Sequence, residues 1–419
     1  MMEGWKEIKL KEITTRLGDG LHGTPKYDDN GEYYFVNGNN LQNGKILIKE
    51  DTRRITAIEY KKIKKELNDR TILVAINGTL GNNGFYNGEK VALGKSACYF
   101  NINNDTDKFF IRYVIESSRF QKYAELFATG STIKNLSLKA MREFKFFLPP
   151  LPTQHCIAKI LSAYDDLIEN NLKRIKLLEE MAQNEFNNWY ANNEDFEEVN
   201  LGSLIGHEIG GGWGADEQSE EFSNAAYVIR GTDIDELPNG KLEKVPFRFH
   251  KKSNLASRKL QDGDIIFEVS GGSSYEGVAK TLLVTNELLK QFDDAVIPAS
   301  FCKLARPIER KYSSFLFLFW RFLRNIKGTE VFEIRSASNI VNYNWTAFLK
   351  FQKIKKPSNK ELEQFNNKVE PIFKQVYKLG NQNQYLKEAR NILLPRLMTG
   401  MIDVEEMSGQ VVEKINLES

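Results

Sequence analysis

The sequence predicts an α+β chain that repeats itself once. Two mixed α/β globules are separated by two long helices, which pair as an antiparallel coiled coil and give the chain an internal pseudo-twofold repeat. Three observations predict this. Short motifs recur in one order at an offset of roughly 200 residues, the mark of a duplicated unit. Prolines close each copy, at Leu148-Pro149-Pro150-Leu151-Pro152 and at Pro357. After each closure the hydrophobic period becomes heptad. The expected boundaries are a first globule at 1–151, a first helix at 152–191, a second globule at 192–357, a second helix at 358–400 and a tail at 401–419.

Composition fits this outline. The chain has 419 residues, 41% hydrophobic and 27% charged, which is globular and not disordered composition. With 58 Lys+Arg against 56 Asp+Glu, any basic surface has to be local. Cys98, Cys156 and Cys302 are far apart and odd in number, which excludes a disulfide framework or a multi-cysteine zinc ribbon and fits a reducing cytoplasm. The longest apolar run, Phe315 to Trp320, ends at Arg321 and is far short of the ~20 residues of a membrane span. The N-terminal residues hold no apolar stretch of a signal peptide. The expectation is a cytoplasmic protein without a membrane partner.

The first globule opens with Trp5-Lys6-Glu7-Ile8-Lys9-Leu10, answered in the second by Phe196-Glu197-Glu198-Val199-Asn200-Leu201. Tyr34-Phe35-Val36-Asn37-Gly38 is answered by Tyr227-Val228-Ile229-Arg230-Gly231, and Asn43-Gly44-Lys45 by Asn239-Gly240-Lys241. A buried strand is expected at Thr71 to Ile76 before Asn77-Gly78, matched by Ile265 to Val269 before Ser270-Gly271-Gly272. Ser96-Ala97-Cys98 pairs with Ser300-Phe301-Cys302, and Ile133-Lys134-Asn135 with Ile340-Val341-Asn342. Aromatic-rich helical stretches fall at 109–127 and 312–325.

In the long helices, steps of four and three place Ile157, Leu161, Ile168, Asn171, Ile175 and Leu178 on one seam. They place Phe365, Val369, Val376, Leu379, Asn383 and Leu386 on the other. An antiparallel register sets Asn171 opposite Asn383 in one polar layer, whereas a parallel one sets both amides against aliphatics. The alternative is that both amides are solvated beside a rotated seam. From Thr153 to Tyr190 the first helix spans on the order of 55 Å at ~1.5 Å per residue, holding the globules apart. Pro371 is expected to kink the second helix or shorten its start, and Pro395 to crowd its end.

No catalytic constellation is found. Gly94-Lys95-Ser96 has Glu89 where a phosphate loop needs its first glycine. Gly210-Gly211-Gly212 and Gly18-Asp19-Gly20 lack a dinucleotide fingerprint. His155-Cys156 has no third metal ligand nearby, and His22, His207 and His250 are isolated. The chain reads as no enzyme, with no metal or cofactor of its own.

This arrangement resembles the specificity subunit of type I restriction–modification systems. The resemblance covers nearly the whole chain and is carried by the opening Gly4 to Leu10, by Leu148 to Gln154 leading into Ile157-Ala158-Lys159-Ile160-Leu161, and by Leu393 to Gly400. Asp165-Asp166-Leu167-Ile168-Glu169-Asn170 fits the family's wording after the proline segment, whereas the second helix begins Pro357-Ser358-Asn359 with no Glu-Asn. The resemblance implies that each globule is a target-recognition domain reading one half of a split, asymmetric site in double-stranded DNA, with the helices setting the gap. It implies two methyltransferase subunits bringing S-adenosylmethionine, and two restriction (motor-nuclease) subunits using ATP and Mg.

Candidate DNA contacts follow from charge and loop position. Lys45, Lys49, Arg53, Arg54, Lys61, Lys62, Lys64 and Lys65 are dense in the first globule. Lys241, Lys244, Arg248, His250, Lys251, Lys252, Arg258 and Lys259 occupy the same part of the second, though such runs usually form solvated faces. For base reading the candidates are His22, Thr24, Lys26, Asn39, Asn77, Thr79 and Lys134 in the first globule. In the second they are Trp213, Arg230, Thr232, Ser270, Ser273 and Asn339. Two other readings stay open: a tandem-repeat protein–protein scaffold without a DNA role, and an enzyme with an unrecognised site.

Overall fold

A computed structural model describes residues 4–193, 196–271, 278–335 and 340–404. It divides into two compact units, residues 1–165 with 388–419, and residues 166–387.

The first unit contains, in chain order, β1 (Lys6–Lys9), β2 (Thr14–Asp19), β3 (Tyr33–Val36), β4 (Arg54–Ile55), α1 (Ala57–Ile63), β5 (Thr71–Ala75), β6 (Asn83–Phe85), β7 (Val91–Leu93) and β8 (Ala97–Ile102). It continues with α2 (Lys108–Glu116), α3 (Ser118–Phe127), α4 (Leu138–Glu143) and β9 (Lys145–Leu148), and then the long helix α5 (Leu151–Ala191) begins. The main sheet has the order β2-β8-β5-β6, all antiparallel. Every residue of Thr71-Ile72-Leu73-Val74-Ala75 is buried, as a run of aliphatic and β-branched residues in a central strand requires. A second sheet, β4-β3-β7, pairs β3 with β7 in parallel. The helices start at polar caps: the side chains of Thr56, Asp107, Ser117 and Ser137 accept backbone N–H groups in the first turns of α1 to α4. β1 and β9 lie side by side, Lys6 against Leu148 and Lys9 against Lys145, so the globule closes where it opened.

The second unit contains β10 (Glu197–Asn200), β11 (Ile205–Gly210), β12 (Asn224–Ile229), β13 (Phe247–His250), α6 (Lys252–Arg258), β14 (Ile265–Glu268), β15 (Thr281–Leu283), α7 (Asn286–Leu289), β16 (Ala295–Pro298) and β17 (Cys302–Pro307). It ends with α8 (Ser313–Asn325), α9 (Trp345–Phe351), β18 (Lys353–Lys356) and the long helix α10 (Asn359–Met398). Three of its sheets are β11-β17-β14-β15, β13-β12-β16 and β10-β18, so each of these strands repeats the role of the one nine places earlier. The repeat extends to one close approach. A Cβ on Gly20 would meet the Leu93 carbonyl at 2.1 Å, and one on Gly211 would meet the Ala299 carbonyl at 2.2 Å. In each copy the chain leaving the second strand crosses the end of the parallel strand with no room for a side chain.

The α+β class, the two related globules and the antiparallel long helices are all present. In the second unit Glu185 of α5 pairs with Lys368 of α10 at 2.5 Å, and one turn further along α5 the Trp189 ring stacks on Phe365 at 4.3 Å. Advancing on one helix retreats on the other. Ile168, Asn171 and Ile175 are buried on α5, as are Phe365, Val369, Val376, Leu379 and Asn383 on α10, while Leu178 and Leu386 are half-buried. In the first unit Ile157 and Leu161 are buried in a core that Leu393 and Leu397 also enter.

The register set by Glu185 with Lys368 and by Trp189 with Phe365 brings Asn171 opposite Asn383, both buried, but no hydrogen bond joins the two amides. Asn383, fully buried, donates instead to the carbonyl of Asn239 at 3.4 Å, so its polar partner is a loop of the second globule. Pro371 does not shorten α10, which starts at Asn359 and runs through it with Pro371 exposed. Among the described residues, no helix is long and apolar enough to cross a membrane.

Candidate nucleic-acid interface

In the first globule the strands place candidates in two groups. One group lies where β5 ends. Asn77 forms a bridge with Asn135, and the Gly78 N–H donates to the Lys134 carbonyl at 3.1 Å. The neighbouring turn, Gly38–Asn40, is fixed by Ser96, whose Oγ accepts the Gly38 N–H and donates to Asn37 Oδ1, both at 2.9 Å. Gly38 is needed there, since a Cβ would come within 2.9 Å of the Ala75 side chain. Asn39, Thr79 and Lys134 are therefore exposed on adjoining loops, and Asn77 is half-buried with its Oδ1 buried and unpaired.

The other group gathers around β4. His22, Thr24 and Lys26 are exposed on the segment after β2, with His22 Nε2 2.6 Å from Asp19. The Lys26 N–H donates to Glu59. Hydrogen bonding from Lys62, then from this N–H, holds the Glu59 carboxyl below its ordinary pKa. Arg53 lies over the Tyr27 ring and Arg54 over the Tyr34 ring, each at 4.8 Å. Among the described residues neither arginine has a carboxylate partner. Lys45 is exposed on a short hairpin, Leu41–Gln42 with Lys45–Ile46, that follows the Gly38–Asn40 turn and lies beside β6.

The second globule repeats the plan with different side chains. Beyond β14, Ser270–Gly271 pairs with Val341–Tyr343, and Ser270 Oγ donates to Asn342 Oδ1 at 2.7 Å. Thr232 is exposed on the turn after β12, the place Asn39 holds in the first copy. Ser273 and Asn339 lie outside the described residues. Glu268, at the end of β14, is buried against Gly231 with one carboxylate oxygen unpaired, and burial raises its pKa. On the other side, Arg248 of β13 lies 4.6 Å above the Trp213 ring.

Several cations of the second globule are held internally. Arg230 makes a forked pair with Asp233, at 2.9 and 2.7 Å, and also donates to the Lys244 carbonyl. Lys241 pairs with Glu236 and follows a turn packed on α10: a Cβ on Gly240 would lie 2.0 Å from the Gly380 carbonyl. His250 is buried, not exposed, and burial lowers its pKa, so it adds no charge to this surface near neutral pH.

The sequence candidates omit Tyr27, Tyr34 and Asp216, which touch the arginines. Tyr34 could have been found from strand pairing, since it stands directly opposite Arg54 across β3 and β4. Tyr27 and Asp216 belong to irregular segments that no periodicity registers.

Residues 2–180 match the family model of the type I restriction modification DNA specificity domain. Over 327 residues the chain is 26% identical to the type I restriction enzyme MjaIX specificity subunit of Methanocaldococcus jannaschii, covering 71% of this chain and 70% of that one. A stretch of 116 residues is 30% identical to the putative type I restriction enzyme MjaX specificity subunit of the same organism, covering 27% of each. Among solved structures, the S subunit of a type I restriction–modification system from M. genitalium superposes with a TM-score of 0.54 at 16% identity. That match covers 94% of this chain and 96% of the other, and it is a likeness of fold.

Proposed function

We propose that the chain is the DNA-reading specificity subunit of a type I restriction–modification complex, a reading supported by the match of residues 2–180 to the type I restriction modification DNA specificity domain. It is the non-catalytic member, assembling with other subunits on DNA. Each globule reads one half of a split, asymmetric duplex site.

One observation carries the split reading. The two globules share a strand topology and the same loop–loop bridge, Asn77 with Asn135 and Ser270 with Asn342, yet display different side chains there. A repeated scaffold with unlike reading loops suits two unlike half-sites, because base edges are discriminated by the donors and acceptors presented to them. Exposed Lys134, Arg53 and Arg54 supply positive charge beside the first copy's loops. Two methyltransferase subunits bind alongside and supply S-adenosylmethionine, and two restriction subunits supply ATP- and Mg-dependent cleavage. The chain works in the cytoplasm, where these partners and the DNA are.

The test is a genome-wide map of modified adenines in a methylation-free host expressing the cognate methyltransferase subunit with and without this chain. A split motif that appears only with the chain is the expected result. Co-purification without any motif, or no association at all, would favour a protein–protein scaffold instead.

A further inference from the structure

In both globules the segment leaving the second strand returns to the edge sheet through a single antiparallel bridge, Tyr27 with Ile55 and Ala215 with Phe249. Each returning segment brings an aromatic ring to an arginine of that edge. Arg53 Cζ lies 4.8 Å from the Tyr27 centroid, and Arg248 Cζ lies 4.6 Å from the Trp213 centroid. A guanidinium resting on a ring is held in orientation while its in-plane N–H donors stay available at the edge.

The two pairs differ in what meets that edge. Arg53 has no carboxylate partner among the described residues. Arg248 donates through Nε to the Trp213 carbonyl at 3.3 Å and through a terminal nitrogen to Asp216 Oδ1. The Arg248 side chain is 13% exposed and that of Asp216 is 81% exposed, so the carboxylate sits on the solvent side of the pair. An acceptor arriving from solvent would meet the guanidinium edge that Asp216 now covers.

We infer that Arg248, stacked on Trp213, is a specificity-determining contact of the second globule, which donates its fork to the O6/N7 acceptor pair of a guanine, and that Asp216 occupies the acceptor position until DNA displaces it. This rests on the DNA-reading role proposed above. The exchange replaces one acceptor by another, so Arg248 is not left unpaired at any stage. A base edge offering no acceptor pair cannot compensate for loss of Asp216, and the carboxylate then repels the approaching phosphates. Ring stacking and a masked edge suit base reading better than a plain phosphate contact, which needs neither a fixed plane nor discrimination. The mask is cheap to remove, because the Asp216 carboxylate, 81% exposed, regains water when it is displaced.

The test uses the full chain in complex with its cognate methyltransferase subunit, read out by the map of modified adenines and by duplex binding across a salt series. Asp216→Asn removes the carboxylate's charge at an exposed position and is expected to tighten duplex binding about two- to fivefold, most for duplexes lacking the motif. Arg248→Lys keeps the charge but loses the fork, and is expected to relax the motif at one position within one half while the other half is unchanged. Three results would overturn the inference: an unaltered motif with Arg248→Lys, equal weakening on all sequences with that variant, or no tightening with Asp216→Asn. A wild-type complex that modifies no split motif strikes the DNA-reading role itself. An intact wild-type motif untouched by Arg248→Lys strikes this contact alone.

Discussion

Asp165 ties the first globule to both of its long helices, and its removal gives a sharp test of what holds that unit together. Its carboxylate, 16% exposed, forms an ion pair with a terminal nitrogen of Arg112 at 2.8 Å and accepts from the Tyr113 hydroxyl at 2.8 Å, both on α2, and from Arg390 on α10. Arg112 is more deeply buried, its side chain 8% exposed, and keeps one other carboxylate, Glu116 at 2.8 Å. In Asp165→Ala, Arg112 loses one of two anions, Arg390 loses its carboxylate and Tyr113 falls back on Ser162 at 3.3 Å. Breaking a buried pair from one side costs about 3–5 kcal/mol, because the remaining charge is stranded. With Glu116 retained, the lower end applies, about 3 kcal/mol. The assay is hydrogen exchange of the α2 amides in the full chain, which reports local opening without requiring two-state unfolding. A loss of ~3 kcal/mol speeds exchange by about two orders of magnitude where α2 exchanges by opening of this unit. Adding Arg390→Ala to Asp165→Ala should cost much less than the sum of the two single changes. Acceleration below about fivefold, or strictly additive costs, would refute the claim that this network anchors α2.

Three further outcomes follow from packing and charge. Phe186→Ala removes a fully buried ring packed among Trp189, Tyr190, Phe315 and Phe365, and should destabilise the second unit by about 3–5 kcal/mol in urea melts. Gly20→Ala and Gly211→Ala should each lower the melting temperature, because the new methyl meets a backbone carbonyl, whereas Gly23→Ala, with open space around it, should have little effect; equal effects at all three would contradict the close approach. Burial raises the Glu268 pKa above its ordinary 4.5, so the folded chain binds this proton more tightly than the unfolded one, and stability is lost as pH rises through that window. Glu268→Gln should therefore match wild type near pH 4 and become progressively more stable than it toward pH 8; a pH-independent difference in melts would show that the carboxyl titrates normally.

Much of the fold is legible in the sequence because its signals are local or periodic. The aliphatic run at Thr71 to Ala75, the prolines before α5 and the heptad steps each report on near neighbours, and duplication presents each signal twice. The partner of Asn383 is not legible. Heptad arithmetic knows only the facing helix, whereas the amide is met by Asn239 from a loop that packs on the same stretch of α10. Pro371 shows the same limit from the other side: a proline penalty counts one missing bond and says nothing of the cores on either side that keep α10 helical. In the candidate interface, loop positions such as Asn39, Thr79 and Thr232 could be read as exposed. That Arg230 is held by Asp233 could not, since a residue type does not reveal whether its donors are already used.

The antiparallel seam also bears on how the chain is made. Asp165 and Arg390 are 225 residues apart, and Glu185 and Lys368 are 183 apart. On a ribosome adding about 5–20 residues per second, α5 emerges roughly 10–45 s before the stretch of α10 that covers it. Throughout that interval Ile157, Leu161, Ile168 and Ile175 have no partner helix, while the whole second globule is being synthesised. The first globule can complete its sheets early, because β9 has already paired with β1 when α5 appears. The helices cannot pair until α10 has been synthesised. The vulnerable species in the cell is therefore the nascent chain with one folded globule and one bare apolar stripe, and the demand for chaperones should peak there.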